Sequence, residues 1–156
     1  MTRVLDGTSH DTATSAGTMA TRADEAEAPD SLFSYHELLR LDEALTMSSR
    51  ETGLRFTLYI GDLGAQTRSR AEELFERSGS DLPESVLIAV SPGQRVVEVV
   101  TGHAAARRLP DRACALAVLS MTNSFAAGDL VGGIVNGLRQ MSDQAGHPAA
   151  LRHPQY

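Results

Sequence analysis

Two acidic residues, Asp62 and Asp111, are the side chains of this sequence best suited to bind a metal ion. Asp62 follows a predicted strand, and Asp111 comes soon after the second strand of a predicted hairpin. Ligands of α/β sheets gather beyond the carboxyl ends of strands, and carboxylate oxygens are the hard ligands that Ca²⁺ and Mg²⁺ prefer. A shared cation site is therefore one interpretation. The alternative is structural, with Asp62 in an Asx turn and Asp111 at a helix N-terminus.

A second group of polar residues lies in and after the second hairpin strand. Arg107 and Arg108, with Asp111, can hold a phosphate or carboxylate through charge-assisted hydrogen bonds. His103 is of the residue type that acts as a general acid or base near neutral pH. The competing interpretation is a solvated helix end beside an edge strand that carries a charge. The candidate binding residues are Arg95, Glu98, Gly102, His103, Arg107 and Arg108.

Motifs of the common enzyme classes are absent from the sequence. It has no serine nucleophile elbow, no H-E-x-x-H and no kinase signature. The single cysteine, Cys114, lies in the apolar run ACALAVL, so we expect a buried, inert thiol and no intramolecular disulfide. Whether the protein is an enzyme therefore stays open.

The charge of the chain argues against a general nucleic-acid binder. Its formal net charge is −6, whereas such proteins usually carry a basic face. Hydrophobic residues make up 42% of the chain and aromatic residues only 4%, so the core must be aliphatic.

The composition of the 156 residues predicts one folded domain between a disordered N-terminal segment and a flexible C-terminal tail. Residues 1–30 are rich in Thr, Ala, Ser and acids, and we expect them to be disordered. The folded domain is predicted over 31–145, followed by a flexible tail over 146–156. No apolar signal segment and no run of about 18 apolar residues is present. We therefore expect a cytoplasmic protein without a transmembrane segment, which leaves peripheral membrane association open.

Local patterns predict the elements that must position these residues. Ser34 and Glu37 form a capping box that opens a helix from Tyr35 to about Arg50. Alternating apolar residues predict a strand, and two closely joined apolar runs must form an antiparallel hairpin. The predicted strands are 54–60, 86–90 and 95–101, and the later helices are 67–77, 111–125 and one from about 130. This order indicates an α/β fold, a three-layer α/β/α sandwich with a small mixed sheet.

Several segments together resemble the TPM domain family. They are LFSYHELLRLDEAL, LRFTLYIGDLGAQTRSRAEELFE, ESVLIAVSPGQRVVEVVTG, HAAARRLPDR and AGDLVGGIVNGLRQM, which span about residues 31–143. The resemblance implies an α/β/α sandwich with a mixed sheet. Members of that family include acid phosphatase-like proteins, calcium binders, and assembly or repair factors. It also implies that Asp62 and Asp111, at loop ends, would carry any metal chemistry.

Two functional hypotheses follow. The first is a TPM-like module that binds or assembles an unknown protein partner, with Ca²⁺ or Mg²⁺ as a candidate cofactor. The second is a weak metal-assisted phosphatase acting on phosphate monoesters. In it, the metal held by Asp62 and Asp111 polarises the phosphoryl oxygen and generates the attacking hydroxide.

Overall fold

A computed structural model describes residues 33–148 and, as backbone only, the strand at residues 3–6. The described chain is a mixture of helices and strands in the predicted order. The strands are β1 (Arg3–Asp6), β2 (Arg55–Ile60), β3 (Ser85–Ser91) and β4 (Val96–Thr101). The helices are α1 (Tyr35–Thr52), α2 (Thr67–Glu76), α3 (His103–Arg108), α4 (Asp111–Ala126) and α5 (Leu130–Ala145), with a 3-10 turn at Leu82–Glu84.

The four strands form one mixed sheet in the order β1-β2-β3-β4. β2 and β3 are parallel because α2 crosses between them, whereas β1 and β4 run antiparallel to their neighbours. In the register, Phe56 lies beside Val86, and Val86 lies beside Thr101. The carboxyl end of β4 is therefore next to the amino ends of β2 and β3.

Helices cover both faces of the sheet, which confirms the predicted α/β/α sandwich. On one face α1, α5 and α4 bury the larger core, which includes Phe56, Ile88 and Ile134. On the other face α2 packs Ala71 and Phe75 against β3 and β4. The core is mainly aliphatic, as the composition predicts.

Three residues fix the ends of α1, and all of them act as the sequence indicates. The Ser34 hydroxyl accepts a hydrogen bond from the Glu37 N–H at 3.1 Å, and the Glu37 carboxylate accepts one from the Ser34 N–H at 2.9 Å. Gly53 ends the helix at a φ of 79°, a left-handed conformation that glycine adopts without strain.

The structure differs from the sequence-based elements in two places. Arg3–Asp6 pairs with β2 as an edge strand, although residues 1–30 were expected to be disordered. A four-residue strand carries too little local pattern to reveal its pairing partner, which lies more than fifty residues away. The short helix α3 was not predicted either. The rest of the 1–30 segment lies outside the described residues.

The first residues of the predicted tail lie against the end of α1. The Nδ1 atom of His147 is 3.3 Å from the carbonyl oxygen of Glu51, and Pro148 packs beside Gly53. The remainder of the 146–156 segment lies outside the described residues. None of the helices in the described part of the chain is both long and apolar enough to cross a membrane.

Candidate functional site

Asp62 and Asp111 lie at opposite ends of the sheet. Asp62 follows the carboxyl end of β2, beside the β3–β4 turn. Asp111 begins α4, and Phe125 in the last turn of that helix lines a cavity with Arg95 of the β3–β4 turn. A 16-residue helix is about 24 Å long, so Asp111 is about that far from the turn. The two carboxylates therefore cannot share one ion. No group of three or more His, Cys, Asp or Glu within residues 33–148 is placed to hold a metal.

The structural alternative for Asp62 is confirmed. Its Oδ2 accepts a hydrogen bond from the Gly64 N–H at 3.0 Å, which is an Asx turn. Its backbone carbonyl accepts a second bond from the Tyr59 hydroxyl at 2.8 Å. Asp62 thus shapes the loop between β2 and α2.

Gln94, which the sequence did not single out, ties this loop to the β3–β4 turn. Its Oε1 accepts hydrogen bonds from the Leu63 N–H and the Ser91 hydroxyl, both at 2.7 Å. Its Nε2 donates to the Gly64 carbonyl oxygen at 2.8 Å. Leu63 and Gly64 lie about thirty residues away and give no local signal in the sequence, so only the folded chain shows that Gln94 joins the two loops.

At the other end of the sheet the predicted polar group does not converge. Gly102 is buried against the backbone of Leu82 and Pro83, where a side chain would not fit. His103 and Arg107 are exposed on α3. Arg108 turns away from them and donates to the carbonyl oxygens at the end of α5.

The Arg108 contacts are those of a helix cap. Its Nη2 donates to the Gly146 carbonyl at 2.7 Å and to the Ala145 carbonyl at 3.2 Å. A cation at a helix C-terminus satisfies carbonyls that lack intrahelical partners and interacts favourably with the helix dipole. These contacts assign Arg108 a structural role.

Glu98 also has structural partners. One carboxylate oxygen accepts a hydrogen bond from the Thr67 hydroxyl at 2.8 Å, and the other lies 3.4 Å from the Arg68 guanidinium. Arg68 in turn donates to the Val99 carbonyl at 2.8 Å, on the open edge of β4. The three side chains hold the start of α2 against an edge strand and occupy part of that edge.

The Cys114 thiol is buried, as predicted from its apolar neighbours. Burial raises its pKa above the ordinary value of 9.0, and the nearby Asp111 carboxylate raises it further, whereas Arg68 lowers it. A thiol in that environment is a poor nucleophile.

A cavity of about 380 Å³ lies between the β3–β4 turn and the α4–α5 junction. Arg95 is the one charged residue among the described residues that line it. Within the described residues no carboxylate forms an ion pair with this guanidinium. The cavity is lined by Pro92, Arg95, Thr122, Phe125, Ala126, Gly128 and Leu130.

Arg95 is also the one described residue other than glycine with a left-handed backbone, at a φ of 58°. That conformation costs a residue with a side chain about 1–2 kcal/mol. Arg95, which bears this cost, is one of the residues that line the cavity. Strained backbone of this kind often accompanies function.

An exposed apolar ridge runs along α4. Leu116 and Leu119 are 56% and 57% exposed. Arg112 and Asn123, one turn to either side, are exposed as well. With 100° between successive residues, these four positions share one face, and the buried Cys114, Ala117 and Met121 occupy the opposite face. We call Arg112, Leu116, Leu119 and Asn123 the α4 ridge.

Comparison with known proteins places the chain in a family. The model of a family described as "Domain of unknown function (DUF5130)" matches residues 9–142. The chain belongs to the DUF5130 family. This finding corrects the resemblance to the TPM family, which was wrong. The segments that suggested it are apolar strand and helix patterns with loop-end Gly and Asp residues, and many α/β sandwiches need those features.

The DUF5130 chain is similar to uncharacterised proteins of Mycobacterium tuberculosis. It is 39% identical to Rv2468c of strain H37Rv and to MT2543 of strain CDC 1551, over 110 residues. The match covers 70% of this chain and 65% of each relative, slightly less than two thirds of their length.

Solved structures share the fold of this DUF5130 chain. The BA42 protein of Bizionia argentinensis superposes with a TM-score of 0.65 at 15% identity, over 75% of this chain and 83% of that one. The N-terminal domain of a P. gingivalis protein gives a TM-score of 0.65 at 18% identity, over 80% and 82% of the two chains. At these identities the likeness concerns the fold alone.

Proposed function

We propose that this DUF5130 domain is a protein-interaction module and that the α4 ridge packs against a helix of its partner protein. The observation that supports the proposal is the exposure of Leu116 and Leu119 on one face of one helix. Burying a leucine side chain stabilises a complex by about 1.5–3 kcal/mol relative to leaving it in water. Two adjacent leucines can therefore anchor a small helical interface.

The spacing of the ridge suits a helical partner. Its positions are separated by four, three and four residues, as in the seam of a two-helix coiled coil. The two leucines occupy its centre, and Arg112 and Asn123 flank them. An apolar centre with a polar rim is the usual arrangement of a protein interface. The expected partner is a helix with an apolar stripe and an acidic residue opposite Arg112.

The α4 ridge differs from the other exposed leucine among the described residues. Leu39 on α1 is 48% exposed and lies one turn after the exposed Tyr35, but no second leucine adjoins it and the next turn carries Asp42 and Glu43. α1 and α4 each pack against α5, whereas they have little contact with each other. Leu39 is therefore a matched control for the ridge.

Site-specific photocrosslinking in the cells from which the chain comes tests this proposal. A benzophenone amino acid at Leu119 should yield one crosslinked band of defined mass, which Leu116→Glu abolishes. The same group at Leu39 should yield no such band. The proposal is wrong if position 119 gives no discrete crosslink, or if Leu39 gives the same one.

Neither a divalent cation nor phosphatase activity forms part of this proposal. Both hypotheses required Asp62 and Asp111 as joint ligands, and the topology separates those two side chains.

A further inference from the structure

We infer that the cavity between the β3–β4 turn and the α4–α5 junction binds a small carboxylate with an apolar body. This inference is independent of the α4 ridge. It rests on the size of the cavity, the chemistry of its lining and the one arginine among the described residues of that lining.

The cavity has the size and lining of a small-molecule site. Ligand pockets usually measure about 300–1,000 Å³ and combine apolar walls with a few polar groups, and this cavity measures about 380 Å³. Phe125, Leu130 and Pro92 provide apolar contact area. The cavity also opens beside the carboxyl end of β3, where ligands of α/β sheets commonly bind.

The wall that carries Phe125 is held in place by α5. A Cβ added at Gly133 would come within 2.8 Å of the Phe125 ring, so that ring packs directly on the α5 backbone. Asp129 caps α5 by accepting a hydrogen bond from the Gly132 N–H at 2.9 Å. The cap fixes the start of the helix and therefore the position of Leu130. A preformed wall of this kind lowers the ordering cost of binding.

The polar groups of the lining select the charge of the ligand. Arg95 offers several N–H donors in a planar fork, which matches a carboxylate in bidentate geometry. Thr122 already donates its hydroxyl proton to the Leu119 carbonyl at 3.0 Å. Because the described part of the lining offers one cation and no further free side-chain donor, a monoanion suits the cavity better than a phosphate dianion.

The backbone of Arg95 supports the same conclusion. A glycine at this position would adopt a φ of 58° without strain. The chain instead has an exposed arginine that lines the cavity. We therefore attribute the arginine at position 95 to a role of its side chain and not to the conformation of the turn.

An NMR titration of the ¹⁵N-labelled full chain with 3-phenylpropionate tests the inference. We expect shifts of the Arg95, Gly128 and Leu130 amides with a dissociation constant in the millimolar range. The neutral amide of the same acid should bind about tenfold more weakly, because it cannot form a charge-assisted pair with Arg95. Equal binding of the neutral amide, or shifts confined to other residues, would overturn the inference.

Two variants and a control complete the experiment. Arg95→Gln should weaken 3-phenylpropionate binding about tenfold or more, whereas Arg139→Gln, on the exposed side of α5, should leave it unchanged. Arg95→Gly should also lose binding while raising the melting temperature, because glycine relieves the strained backbone. An Arg95→Gly variant that binds as tightly as the unaltered chain would contradict the inference. Leu116→Glu should not affect this titration, so the outcome is separate from that of the α4 ridge.

Discussion

The backbone N–H of Gly102 donates to the carbonyl oxygen of Ser85 at 2.9 Å. This hydrogen bond joins the end of β4 to the start of β3, so the segment that follows β4 begins at the amino end of the parallel pair. Asp62 lies beyond the other end. Six strand residues span about 20 Å, and that length separates the two groups of polar residues.

Asp62→Ala should destabilise the domain by about 1 kcal/mol, because the Gly64 N–H loses its side-chain acceptor. Adding Ca²⁺ or Mg²⁺ should change the melting temperature of neither the variant nor the unaltered chain. Urea unfolding and thermal melts with and without each ion measure both effects. Asp143→Ala, an exposed change on α5, is the control. Stabilisation by Ca²⁺ that disappears in both Asp62→Ala and Asp111→Ala would contradict the separation of these residues.

Gln94→Ala should lower the free energy of unfolding by about 2 kcal/mol. The change removes two hydrogen bonds that join the β3–β4 turn to the β2–α2 loop and a third, from the Ser91 hydroxyl, within the turn, each with a net contribution of about 0.5–1.5 kcal/mol. Hydrogen exchange of the Leu63 amide should also accelerate.

Gln140→Ala is the matched control for Gln94→Ala. Its side chain makes one exposed hydrogen bond, to the Ser120 hydroxyl, so its loss should cost less than about 0.5 kcal/mol. Equal costs for the two glutamine variants would show that Gln94 does not stabilise the loop.

Arg108→Gln should cost about 1 kcal/mol of stability, since the last carbonyls of α5 lose a charged donor. Amide exchange in the last turn of α5 should accelerate. Arg107→Gln, one residue earlier on α3 and exposed, should leave both measurements unchanged. The capping role of Arg108 would be refuted if the two variants behaved alike.

Stability should fall in alkaline solution partly because of Cys114. Burial and Asp111 raise the pKa of this thiol in the folded state. Its contribution to stability is therefore fully present below the ordinary pKa of 9.0 and is lost as the pH rises toward the folded pKa. Above that ordinary value the unfolded thiol ionises first, which favours unfolding.

Urea unfolding at about pH 7 and about pH 10 measures this effect. The loss of stability between the two pH values should be smaller in Cys114→Ala than in the unaltered chain. Alkylation of the folded chain by iodoacetamide should be slow and should accelerate in Asp111→Asn, because removing that carboxylate lowers the thiol pKa. An equal pH dependence with and without the thiol would exclude Cys114 as its source.

Interactions between residues close in the sequence were sufficient to predict several helices and strands of this protein. The Ser34–Glu37 capping box, the alternation over 54–60 and the apolar run over 86–90 depend on neighbours within a few residues, so they predicted α1, β2 and β3. The apolar neighbours of Cys114 predicted that its thiol is buried. An Asx turn also depends only on residues close in the sequence, so the sequence could offer it as the alternative to a metal ligand at Asp62. Short elements such as β1 and α3 carry too little pattern to be predicted in this way.

Only the tertiary structure decided which side chains meet. The strand directions set Asp62 and Asp111 apart, although each follows a strand in the sequence. The fold brings Gln94 to Leu63 and Gly64, Arg108 to the end of α5, and Arg95 to the cavity that Phe125 also lines. These residues lie about thirty positions or more apart in the sequence. Their proximity depends on strand order and helix packing, which arise from the burial of both sheet faces at once. A pattern within a few residues contains no information about that arrangement.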